Sequence, residues 1–119
     1  MDLNEAEQLC KELMEKNEVK DFGFEWNPWL TSSLGRCNYA KKVIELNPAF
    51  VRENDRWNVR QVILHEIAHA MTWIGYKRGL YNKSELHHSR TFKRLFFMIG
   101  GSQKHQYKCT AKLKQYRRA

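Results

Sequence analysis

Apolar residues recur at helical spacing through the first sixteen positions. Leu3, Ala6, Leu9, Cys10, Leu13 and Met14 fall on one stripe of a 3.6-residue period. Asp2 stands where a helix cap belongs, and Glu5 follows three residues on, as in a capping box. The spacing predicts a helix ending near Lys16 and Asn17. Residues 22–26 alternate and predict a short strand, broken at Asn27-Pro28. A turn at Ser32 to Gly35 precedes two further predicted strands, Arg36–Ala40 and Lys42–Leu46. Asn47-Pro48 stops the second, and residues 49–57 read as a mixed polar connection.

Asn58 is placed to cap the next helix, with Gln61 at its third position. Apolar residues crowd that helix from Val59 to Ile74, and Gly75 ends it. They leave almost no polar face, the pattern of a helix buried at the centre of its domain. Residues 75–86 form a predicted loop. Phe92, Leu95, Phe96 and Ile99 define a further amphipathic helix, ended by Gly100-Gly101. The tail alternates Tyr107, Cys109, Ala111 and Leu113 with polar residues, which predicts a basic strand or hairpin arm. The expected class is α+β: a sheet of three or more strands packed on a leading helix, a buried central helix and a third helix. The domain is expected over residues 1–101, with 102–119 as a basic tail.

A length of 119 residues suits one domain, and 42% apolar content is that of a globular chain, not a disordered one. No apolar run approaches the ~18 residues of a membrane span. The opening residues, Met1 to Glu7, lack the basic and apolar regions of a secretory signal. Cys10, Cys37 and Cys109 form no CxxC pair, which argues against a disulfide framework and a zinc ribbon. An intracellular protein is expected, cytoplasmic or nucleoid/nuclear, monomeric and independent of membranes. Charge changes the picture more. Residues 1–59 carry a net −3 and residues 60–119 a net +11. That asymmetry points to a basic face and a polyanionic partner, nucleic acid first. The bland alternative is a solvated surface that maintains solubility.

The buried helix contains His65-Glu66-Ile67-Ala68-His69, an HExxH motif. Four residues along a helix rotate ~400°, so the two imidazoles stand ~40° apart, one turn above the other. Both can then reach one metal ion at ~2.0–2.1 Å. Glu66 is rotated ~100° from His65, out of the ligand set but within reach of a water at the site. The competing reading is a core helix with two hydrogen-bonded histidines and a salt-bridged glutamate. Burying three polar side chains without a shared purpose is costly, which weighs against it.

A catalytic zinc site needs a third protein ligand and an open position. His87, His88 and His105 follow downstream. His88 lies four residues before Phe92, so a helix reaching that far would turn His88 inward and His87 ~100° away. The stripe favours His88, His87 is the second choice, and His105 is a surface residue on the polar tail. Whichever of the pair does not bind metal is a candidate to line the cleft.

These residues resemble the SprT-like family of zinc metallopeptidases, whose eukaryotic branch is Spartan. The likeness spans roughly residues 1–100. It rests on Leu34-Gly35-Arg36-Cys37, Ile44-Glu45-Leu46-Asn47-Pro48, His65 to Ala70, and His88-Ser89-Arg90-Thr91-Phe92-Lys93. It implies a zincin-like domain in which His65, His69 and His88 hold Zn²⁺ and Glu66 is the general base for peptide hydrolysis. The His-x-x-x-Phe spacing of the family falls on His88. Tyr81, His87 and Arg90 are candidate oxyanion donors or cleft residues. Strand Lys42–Leu46 is either a platform for an extended substrate or an interior strand.

Resemblance and charge together imply a protein substrate bound or crosslinked to DNA, single- or double-stranded. The expected phosphate contacts are Lys77, Arg78, Lys83, Arg90, Lys93, Arg94, Lys104, Lys108, Lys112, Lys114, Arg117 and Arg118. Trp73, Tyr76 and Tyr81 are candidates to stack on bases, core packing being the favoured role for Trp73. Ser89 replaces the family's usual glycine after the third histidine, and the 18 residues between His69 and His88 form a longer connection than usual. Tyr107-Lys108-Cys109 is what remains of the zinc ribbon many members carry, so that module is expected to be lost or degenerate. Two other functions compete: a non-catalytic nucleic-acid-binding module with a structural zinc, and a general peptidase indifferent to DNA.

Overall fold

The computed structural model describes residues 1–30 and 33–104. Helix α1 (Leu3–Lys16) begins as its sequence requires, with the Asp2 carboxylate accepting the Glu5 N–H at 3.1 Å. Ala6, Leu9, Cys10, Leu13 and Met14 are all buried on its inner stripe. The Asn17 amide donates to the Leu13 carbonyl at 2.8 Å and satisfies one of the carbonyls left open at the helix end.

Three short strands follow: β1 (Gly23–Trp26), β2 (Gly35–Asn38) and β3 (Val43–Leu46). Their order in the sheet is β1-β3-β2. β3 pairs parallel to β1 and antiparallel to β2, with Cys37 opposite Ile44. The β2–β3 turn places Lys42 at a φ of 54°, a left-handed conformation uncommon for a lysine. β3 is therefore central, and Ile44, Glu45 and Leu46 are buried. The strand predicted over Lys42–Leu46 is an interior strand and offers no edge for a substrate.

Burying Glu45 demands partners. Its carboxylate accepts from Asn27 at 2.6 Å, from Arg36 at 2.9 and 3.2 Å, and from Asn38 at 3.1 Å. These three donors come from the end of β1 and from β2, so one carboxylate ties the three strands together. Burial pushes its pKa up, but the donated hydrogen bonds outweigh burial and hold it below the ordinary carboxylate value.

Two expectations fail in the next segment. Residues 49–57 are not a plain connection, because Pro48–Glu53 forms helix α2. Asn47 caps it, accepting the Ala49 N–H at 2.8 Å, and Pro48 takes the first turn, where its missing N–H costs nothing. The strand stop is thus also a helix start. Helix α3 (Arg56–Lys77) begins earlier than its apolar residues suggest. Asp55 is the cap, accepting the Asn58 N–H at 2.9 Å, and Asn58 is buried inside the first turn. Residues 61–70 are buried without interruption, as the all-round apolar pattern demands.

The sheet approaches α3 closely at Gly35, where an added Cβ would lie 3.0 Å from Val62 and 3.1 Å from the Glu45 carbonyl oxygen. A 3₁₀ turn (Lys83–Leu86) and helix α4 (Arg90–Met98) complete the described fold, with Phe92, Leu95 and Phe96 buried. Gly100 ends α4 at a φ of 108°. The predicted tail strand lies outside the described residues.

Candidate metal centre

His65 and His69 sit one turn apart on α3, 7% and 5% exposed, with ring centroids 5.0 Å apart. The third histidine comes from the segment before α4, which a compact set of bonds shapes. Glu85 reaches back to the Asn82 N–H at 2.7 Å and accepts from the Thr91 hydroxyl. Ser89 donates its hydroxyl to the Glu85 carbonyl at 2.9 Å and accepts the Phe92 N–H at 3.2 Å, capping α4. The serine that departs from the usual glycine is therefore the helix cap. Helix α4 starts after it, so His88 is not on the helical stripe that favoured it in the sequence. Extended backbone at His87 and Ser89 presents His88 to α3 instead.

His88 Nε2 lies 3.1 Å from His65 Nε2 and 3.1 Å from His69 Nε2. An imidazole nitrogen has a single in-plane donor or acceptor position, so it cannot serve two such partners well at once. A common ion can. Tetrahedral ligands at ~2.0–2.1 Å stand about 3.3 Å apart, close to the separation seen here. The donor set fits a divalent ion such as zinc: three imidazoles whose ligand atoms all lie within 4.8 Å of one another. Phe92 floors the site, stacked on His69 at 4.3 Å and edge-on to His65 at 4.8 Å.

Glu66, between the two helical histidines in sequence, is fully buried, and both its carboxylate oxygens are shielded from solvent. Its charge reaches β2. Burial first, and the Glu66 carboxylate further, push the Cys37 thiol up; the same two influences act on the Tyr39 phenol, together with Cys37. Both groups therefore stay protonated at neutral pH. An open cleft of about 320 Å³ lies beside the histidines, lined by Arg36, Cys37, Tyr39, His69, Leu86, His87 and His88.

Tyr39 escaped the sequence reading. It lies in the β2–β3 turn, and its hydroxyl is 3.4 Å from His69 Nδ1 and 3.5 Å from the Leu86 carbonyl oxygen. No spacing in the sequence links residue 39 to residue 69. Among the cleft candidates, His87 is exposed and lines the cleft. Tyr81 packs over Gly75 and lines a different groove with Val19, Met71 and Leu95, so it is not a cleft residue. Arg90 is the exposed first residue of α4 and is absent from the cleft lining. Trp73 packs against the core, edge-on to Phe22 at 5.6 Å. Lys77, Arg78, Lys83, Lys93, Arg94 and Lys104 are exposed. His105, Lys108, Lys112, Lys114, Arg117 and Arg118 lie outside the described residues.

An α+β unit in which a third imidazole, from the segment before α4, converges on two imidazoles of a buried helix defines a candidate metalloprotein. The chain belongs to the SprT-like family, whose model matches residues 3–115. It is 32% identical over 92 residues to a protein of Oceanobacillus iheyensis called "Protein SprT-like". That match covers 77% of this chain and 57% of the relative, so the chain spans little more than half of the relative's length. No solved structure gives a significant match to the chain.

Proposed function

We propose that this chain is a zinc-dependent endopeptidase of the zincin type. The observation that carries this reading is the convergence of three histidine Nε2 atoms, two of them from the helix on which Glu66 is buried. Zinc held by His65, His69 and His88 would supply Lewis acidity, polarising the scissile carbonyl and acidifying water. Glu66 accepts the proton of the attacking water and passes it to the leaving amine as the C–N bond breaks. Among the described residues β2 has a neighbouring strand on one side only, and its outer edge runs beside the histidines, since Arg36 and Cys37 line their cleft. An extended peptide adding to that edge would be carried across the site.

The substrate we propose is protein held on DNA. The exposed lysines and arginines of α4 and of the segment from Lys77 to Lys83 offer a phosphate-binding face on the basic half of the chain. The test is proteolysis of a DNA-binding protein by zinc-loaded chain, wild type beside Glu66→Gln, with and without single- or double-stranded DNA. We expect DNA-stimulated cleavage that falls roughly 10²–10⁴-fold in the variant while zinc stays bound. Cleavage indifferent to DNA would assign a general peptidase. Full activity in Glu66→Gln would overturn the general base. A zinc-bound wild type that cleaves nothing would leave a binding module.

A further inference from the structure

We propose that Tyr39 is a positioning residue that locks His69 and the His88 segment together around the metal site. The inference rests on the three-histidine site holding a divalent ion. If His69 ligates through Nε2, its other ring nitrogen carries the proton. That Nδ1–H faces the Tyr39 hydroxyl at 3.4 Å, and the hydroxyl in turn donates to the Leu86 carbonyl at 3.5 Å. The chain of bonds runs from a ligand on α3, through the β2–β3 turn, to the backbone two residues before His88. It selects one tautomer and one ring orientation of His69, and it anchors the segment that delivers the third ligand.

Tyr39 is itself held. Its ring stacks on Trp73 at 6.2 Å with an interplanar angle of 12°. Trp73 follows His69 by one helical turn, so the platform and the ligand share a face of α3. Lys42 and Lys77 lie over the same indole at 5.4 and 5.8 Å. The Tyr39 hydroxyl lies on the Nδ1 side of His69, across the ring from the nitrogen that faces the site, so it acts through His69.

The experiment compares the full chain with Tyr39→Phe, which keeps the ring on Trp73 and removes only the hydroxyl. Zinc affinity is read by competition with a chromophoric chelator, and the His69 imidazole by ¹⁵N spectra. We expect wild type to bind one zinc, with His69 bound through Nε2 and a slowly exchanging Nδ1 proton. Tyr39→Phe should bind roughly 10- to 100-fold more weakly and lose that slow exchange. Its metal-free thermal unfolding should match wild type, which separates positioning from folding. In Trp73→Leu the affinity should also fall, and the double variant should be no weaker than Tyr39→Phe alone, because Trp73 acts through Tyr39. Equal affinity and equal Nδ1 proton exchange in Tyr39→Phe would overturn this inference and leave the metal site standing. A folded wild type that binds no zinc would overturn both.

Discussion

Glu45 shows how far one side chain can organise this small protein. At 2% exposure its carboxylate would be costly without the donors from Asn27, Arg36 and Asn38. Arg36 is about half exposed, so water screens its share, and the two asparagines carry correspondingly more. Glu45→Gln should cost about 1–3 kcal/mol of stability at neutral pH, read by urea unfolding. The folded pKa of Glu45 is depressed. Its contribution is therefore fully present above the unfolded value of about 4.3 and is lost as pH falls through the lower folded value. The variant should show a shallower loss of stability in that acid window, and an unchanged acid limb would remove Glu45 from the account. Sequence alone could not foresee this, since a glutamate in a short strand reads as a solvent-facing position. Its burial depends on three donors brought from two other strands.

Each element shows a different balance between local and distant information. Helix α1 follows from its own residues, cap and stripe together. Helix α2 has an equally local signal, Asn47 before Pro48, but the same pair also describes the end of a strand, and both descriptions hold. Asn47 is buried and also donates its amide to the Leu30 carbonyl. Asn47→Ala should therefore lower stability by about 1–2 kcal/mol, at the upper end for a helix cap, as measured by denaturant unfolding. Helix α4 acts on the site through Phe92, which is 3% exposed and packs against all three histidines. Phe92→Ala should cost about 3–5 kcal/mol and weaken zinc binding, whereas Phe92→Leu should retain most of both. Equal zinc affinity in all three proteins would show that the aromatic floor does not support the ligands.

For the whole molecule, metal and fold are expected to be coupled. The three candidate ligands come from α3 and from a segment 19 residues downstream of His69, so the unfolded chain holds no preformed site. Zinc at 100 times its dissociation constant should add about 2.7 kcal/mol of stability. Chelation should lower the melting temperature by roughly 10 °C or more for a domain of this size, and His88→Ala should abolish that difference in calorimetry. The basic half of the chain makes a second prediction. Oligonucleotide binding should weaken steeply with salt, and charge reversal at Lys93 and Arg94 should reduce the slope. Binding that ignores salt would separate this face from phosphate contact. Among the described residues, no helix is long and apolar enough to cross a membrane.

The sequence by itself determined the parts of the site that one helix can encode. A 3.6-residue period places His65 and His69 on one face, sets Glu66 between them, and surrounds them with enough apolar residues to force the helix inside. Tertiary structure decided what closes the site. His88 arrives from extended backbone ahead of α4; the family's His-x-x-x-Phe spacing falls on it, but the apolar stripe that also favours it assumes a helix that does not reach it. Tyr39 arrives across 30 residues through the β2–β3 turn. The edge beside the histidines belongs to β2, because β3 pairs on both sides. Periodicity records how side chains are arranged within an element. Which elements meet, and which atoms converge when they do, depends on packing between segments distant in the chain, for which a local pattern carries no signal.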